Sequence, residues 1–278
     1  MREIKSASIT EAVRQMAMEA ACDLEPDILE ALLKARDRES STLAGDVLEL
    51  LLINADIASR EKIPVCQDTG VAVVFVSLGQ DVRIVGDFMA AIQEGVRLGY
   101  DGGYLRKSVC DPITRVNTGT NTPAVIHVDL VEGDRLHISI LPKGCGSENM
   151  SGLTMLPPSA GLEGVKDYVV DLVVKAGPNP CPPVIVGVGM GGTFEKAALL
   201  AKKSLLRPLG QPSYREDVAR LEQEILERIN GDGRGVHGLG GNNTSLGVHI
   251  ELFPAHIASL PVAVNIQCHA HRYKEIDL

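Results

Sequence analysis

Short β-branched runs alternate with amphipathic stretches along most of the chain, a pattern that only a mixed α/β fold accommodates. VAVVFVSL (71–78) is too short and too β-branched to prefer a helix, and PVIVGVG (183–189), LGVHIEL (246–252) and PVAVNI (261–266) read as strands on the same grounds. AVIHVDLV (124–131) and RLHISILP (135–142) alternate on either side of Glu132-Gly133-Asp134, which predicts a hairpin. Helical stretches fall near 87–99 and 162–175, then at EKAALLAKKSLL (195–206) and REDVARLEQEILERIN (215–230). Ahead of all these, roughly the first sixty residues read as a helical arm. Ser8 and Glu11 stand at capping-box spacing, Pro26 heads a second helix, and Leu43, Val47, Leu48, Leu51, Leu52 and Ala55 form an apolar stripe ending near Arg60. No repeat or low-complexity linker divides the sequence, so one α/β domain over residues 1–278 is expected, with mixed sheets flanked by helices after the arm.

A net charge of −9 without a clustered basic run argues against a nucleic-acid surface. Aromatic residues make up 3% of the chain and Trp is absent, so platforms for stacking bases are missing too. No apolar run is long enough to span a bilayer, and MREIKSASITEAV does not resemble a signal peptide; a cytoplasmic protein that does not engage membranes is expected. Six cysteines in such a chain are core thiols, reactive thiols or metal ligands rather than a disulfide framework.

Three of these cysteines sit in loops rich in turn-forming or polar residues: Cys66 in PVCQDTG, Cys181 in NPCPP and Cys268 in NIQCHAH. Spacing alone leaves inert core thiols open, because the three are far apart in sequence and match neither a ferredoxin ladder nor a zinc ribbon. Three thiolates on a cubane would leave one iron open as a Lewis acid. Gln67 and Asp68 follow Cys66, Arg106 in GGYLRKS offers a fork for a carboxylate, and Lys143 with the free N–H groups of KGCGSEN offers an anion nest. Gly187, Gly189 and Gly192 satisfy a dinucleotide fingerprint, but no second strand or ribose-binding acid follows, so these glycines read as close helix–strand packing. His269 and His271 lack the cysteine pair that a zinc site would need.

Taken together, PVCQDTG, RKSVCDP with NTGTNTPA, KGCGSEN, PCPPVIVGVGMGGT and LPVAVNIQCHA resemble the class I (iron–sulfur) fumarases and the related L-tartrate dehydratases, in family order from about residue 60 onward. The resemblance implies a 4Fe–4S cluster on Cys66, Cys181 and Cys268. It further implies substrate contacts from Gln67, Asp68, Arg106 and backbone near Gly144, a proton role for Asp68, and a histidine at His256 that reaches the active site of a neighbouring protomer. Single-chain relatives carry a further domain that is absent here, which implies a separate β chain of about 200 residues. An α2β2 heterotetramer acting on a small dicarboxylate is then expected. The implied reaction is reversible hydration of fumarate to (S)-malate; the alternatives are L-tartrate dehydration to oxaloacetate and a non-catalytic iron–sulfur redox or regulatory protein.

Overall fold

The computed structural model describes residues 1–278. In chain order the elements are β1 (Arg2–Lys5), α1 (Ser6–Cys22), α2 (Pro26–Arg38), α3 (Thr42–Glu61), β2 (Val71–Gly79), β3 (Val82–Val85), α4 (Phe88–Gly102), β4 (Val125–Val131), β5 (Leu136–Lys143), the single turn α5 (Cys145–Glu148) and β6 (Gly152–Leu156). They continue with α6 (Gly161–Ala176), β7 (Val184–Gly191), α7 (Phe194–Lys203), α8 (Glu216–Gly231), β8 (Ser245–Phe253), β9 (Leu260–Gln267) and β10 (Lys274–Asp277). The mixed α/β class is as expected. The chain divides into two compact units, one of residues 1–25, 54–145 and 272–278, the other of residues 26–53 and 146–271. No helix is long and apolar enough to cross a membrane.

The first unit is built on a four-stranded sheet in the order β10-β5-β2-β4. β2 lies at its centre and is buried over most of its length, as its unbroken apolar sequence requires. The expected hairpin does not form. β2 inserts between the two alternating runs, pairing parallel with β4 (Val73 opposite Val125) and antiparallel with β5 (Val73 opposite Leu141). α1 and α4 pack together with this sheet in one apolar core of Val13, Met16, Ile92, Val96, Tyr100 and Ile140. Close helix approach is possible because a Cβ on Gly95 would lie 2.7 Å from the Thr10 carbonyl and one on Gly99 2.8 Å from that of Arg14. The capping box also fails: α1 begins at Ser6 after Lys5, with no side-chain cap, because β1 runs straight into the helix.

The second unit carries the sheet β6-β9-β7-β8, with β7 parallel to β8 and antiparallel to β9. Its core joins Val186, Val188, Val264 and Ile266 to the apolar faces of α6 and α8. The glycines of the apparent dinucleotide fingerprint act in packing, as their sequence context implies: a Cβ on Gly187 would lie 2.2 Å from the Ala201 carbonyl and one on Gly189 2.0 Å from that of Ala197, both in α7.

His249 on β8 is buried, its Nδ1 3.2 Å from the Ser204 carbonyl. Burial, assisted by the Arg207 charge, pushes its pKa down from 6.5 to about 3, so the folded unit holds it neutral. The unfolded chain takes up a proton there near 6.5. Between those values the unfolded state binds more protons, so this contribution to stability is complete above the unfolded pKa and is lost as pH falls toward the folded one. The protein is therefore expected to be about 2 kcal/mol less stable at pH 5 than at pH 8 through this group. Urea midpoints at the two pH values check it; a His249→Gln variant with the same pH dependence as the parent would refute the assignment.

Candidate active site

In the first unit the loop PVCQDTG runs from α3 to β2 and is restrained through Val65, Asp68, Thr69 and Gly70. Asn54 Nδ2 donates to the Val65 carbonyl at 2.8 Å. Asp68 is half-buried, and its carboxylate is fixed at both oxygens: the Gly70 N–H donates to Oδ1 at 3.0 Å and the Cys145 N–H to Oδ2 at 2.8 Å. The Asp68 carbonyl accepts from Arg272 Nη2 at 2.8 Å. Thr69 Oγ1 donates to the Arg106 carbonyl, tying the Asp68 loop to the segment that bears Arg106. The buried Tyr100 hydroxyl donates toward the carbonyls of Thr69 and Gly70, at 2.8 and 3.1 Å. Burial raises the pKa of that phenol, which keeps its proton available for the bond. Asn121 Nδ2 donates to the Gly70 carbonyl, while its Oδ1 accepts from the N–H groups of Ser108 and Val109.

The end of the loop admits only glycine. Gly70 has φ +76, and a Cβ there would lie 2.8 Å from the Lys143 backbone. Gly144 is buried beside the same cluster: a Cβ on it would meet Asp68 Oδ2 at 3.3 Å and Arg272 Nη2 at 3.7 Å. The first unit thus gathers Asp68 and Gly144 in one place, next in sequence to Cys66 and Gln67. The Cys66 thiol donates to Gln67 Oε1 at 3.5 Å. Arg106 and Gln67 are exposed, and the neighbouring Asp101 carboxylate is paired with Lys107 at 3.0 Å. Lys143, at the end of β5, is 2% exposed with Nζ 3.4 Å from the Gly144 carbonyl.

In the second unit Cys181 is exposed on a tight turn closed by its own N–H to the Pro178 carbonyl at 3.0 Å. Its φ of 55° is a left-handed conformation that a side chain adopts only under constraint. The constraint comes from the loop that carries Cys268. The His269 N–H and ring Nδ1 both face the Cys181 carbonyl, at 3.4 and 3.0 Å. His237 donates its N–H to the Pro182 carbonyl and sets its ring against that of His269 at a tilt of 37°, centroids 5.2 Å apart. The loops of Cys181 and Cys268 are thereby tied together, which spacing alone could not reveal. His256 stands exposed in the turn between β8 and β9, where its Nδ1 accepts from the Ala258 N–H at 3.1 Å. His271 is buried with Nε2 2.8 Å from the Leu205 carbonyl, as befits a structural histidine.

The donor chemistry suits a thiolate-bound iron–sulfur cluster. Cys66, Cys181 and Cys268 are partly or fully exposed, on loops whose backbone is held in fixed directions. Cys22, by contrast, is buried in the first unit's core, where burial raises its thiol pKa and disfavours the thiolate. Within neither unit do three His, Cys, Asp or Glu side chains form a ready metal-binding group.

Sequence reasoning passed over Arg272, Tyr100 and Asn121. Arg272 belongs to no recognisable motif; the one available signal was the alternation of KEIDL after it, which marks a strand that would return the tail to the sheet.

The family model for fumarate hydratase (fumerase) matches residues 10–277. The putative L(+)-tartrate dehydratase subunit alpha of Methanocaldococcus jannaschii is 42% identical over 271 residues, covering 95% of both chains. The L(+)-tartrate dehydratase subunit alpha of Escherichia coli K12 is 32% identical over 268 residues, covering 95% of this chain and 88% of the relative. With the family model spanning nearly the whole sequence and these relatives aligned over most of their length, the chain belongs to the fumarate hydratase (fumerase) family of hydro-lyases.

Proposed function

We propose that this chain is the α subunit of an iron–sulfur hydro-lyase that dehydrates L-tartrate to oxaloacetate, working with a separate β chain in an α2β2 assembly. The observation that carries the choice of substrate is the alignment with the L(+)-tartrate dehydratase subunit alpha of Escherichia coli K12 over 95% of this chain. Fumarate hydration is the second reading, favoured by the description of the family model. The two reactions differ by one substrate hydroxyl and draw on the same residues.

Cys66, Cys181 and Cys268 would hold the 4Fe–4S cluster, which when bound supplies a Lewis-acidic iron for the departing hydroxyl. Arg106 grips one substrate carboxylate through its exposed fork, and Gln67 offers an amide to a neighbouring oxygen. Asp68 takes part in moving the proton on the carbon next to the one losing its hydroxyl. Its carboxylate is already oriented by two backbone N–H groups, so little reorganisation is needed when that proton moves. Negative charge then grows on the substrate carboxylate, where Arg106 and backbone near Gly144 stabilise it. His256, presented on an exposed turn, completes the site of a neighbouring protomer.

Anaerobic co-expression with the β chain, followed by parallel assays of L-tartrate loss and fumarate consumption, tests this. Faster tartrate turnover supports the first reading and faster fumarate turnover replaces it with the second. Turnover of neither by a brown complex would sink both and leave a redox or regulatory protein.

A further inference from the structure

Arg272 is the largest fully buried side chain in the protein, 1% exposed, and only one of its three nitrogens is used. Nη2 donates to the Asp68 carbonyl, whereas Nε and Nη1 are buried with no hydrogen-bond partner. A buried guanidinium with unfilled donors is a stability cost that a neutral side chain of similar size would avoid. Its position shows what the cost sustains. Arg272 lies just ahead of β10, which is paired antiparallel to β5, and this places the guanidinium beside Gly144 and the carbonyl of Asp68. The Asp68 carboxylate is bound by the N–H groups of Gly70 and Cys145. Two restraints on the carboxylate and one on the carbonyl leave this residue a single orientation.

We propose that Arg272 is the positioning residue for Asp68, fixing the loop from outside the family motifs so that the carboxylate is aligned before substrate arrives. This rests on the assignment of Asp68 to proton movement proposed above. The Arg272 side chain touches Asp68 at the Asp68 backbone carbonyl and is not itself assigned a contact with substrate.

The test uses the αβ complex prepared anaerobically, with Arg272→Gln and Arg272→Lys. Hydrogen exchange of the Gly70 and Cys145 amides, both bonded to Asp68, is expected to quicken at least about tenfold in Arg272→Gln. The variant's kcat is expected to fall about tenfold or more with KM within about threefold, as for a misplaced catalytic group. Its unfolding midpoint is expected to stay level or rise, since an uncompensated buried charge has been removed. Arg272→Lys, which keeps the charge and one donor, is expected to recover part of both kcat and protection. Unchanged exchange at Gly70 and Cys145 would overturn the proposal, as would unchanged kcat or a midpoint that drops in parallel with activity. If Arg272→Gln does not fold, the lysine variant is judged by the same criteria, and failure of both to fold assigns Arg272 a purely structural role and overturns the proposal. Because exchange is read without substrate, a parent complex that turns over neither acid defeats the hydro-lyase assignment while the positioning of Asp68 is still decided.

Discussion

Replacing Cys181 by Ser is expected to leave the second unit folded while turnover of the complex falls by at least about a hundredfold, together with loss of iron and of brown colour after anaerobic reconstitution. Serine is nearly the same size and Cys181 is exposed, so packing changes little. The turn that holds the residue at φ 55° is maintained by backbone groups: its own N–H to Pro178, and its carbonyl facing His269. These bonds survive the substitution. What is lost is the soft thiolate, which a hydroxyl does not replace as an iron ligand at neutral pH. Iron content per complex and kcat are the measurements. A Cys181→Ser complex that binds iron and turns over like the parent would remove Cys181 from the ligand set. A matched Cys145→Ser variant, whose thiol stands outside that set, is expected to retain both.

Gly189→Ala is expected to destabilise the protein by about 3 kcal/mol, a large part of the net stability of an ordinary domain. The added methyl would lie 2.0 Å from the Ala197 carbonyl and 2.6 Å from the Ala201 nitrogen, both backbone atoms of α7. A side chain can rotate away from such an intrusion, but a helix backbone must move bodily from the sheet. Gly45→Ala provides the contrast: nothing lies within 4 Å of its added Cβ, and the residue is inside α3. There the gain in helix propensity is expected to stabilise the protein by up to about 1 kcal/mol. Urea midpoints of the two variants check both signs, and a neutral Gly189→Ala would show that α7 does not seat on β7 as described.

The helices and long strands were legible because each carries its periodicity within its own sequence. α2 starts at Pro26, α3 follows the apolar stripe, and the long charged run forms α8. Pairing was less legible. The alternation of β4 and β5 identifies strands without naming their neighbours, and a Gly-containing turn between them suits a hairpin that β2 prevents by taking the place between them. β1, β3 and β10 have only four residues each, too few for a periodic signal. At the candidate site, Cys66, Gln67, Asp68 and Arg106 stood out because they cluster in polar loops. Arg272 did not, since its importance comes from the strand that returns the tail to β5, and only folded structure brings it beside Asp68.

The first unit is discontinuous, and its last strand is made only after the whole of the second unit. During synthesis β5 emerges with one edge paired to β2 and the other open, and it stays open until residues 272–278 have been translated. Throughout that interval the Asp68 loop also lacks Arg272. Vectorial synthesis therefore delivers the piece that closes the sheet and the piece that sets the loop in the same stretch of seven residues. A nascent or truncated chain ending before it exposes a strand edge to its neighbours and is prone to aggregate rather than persist as a partly working subunit.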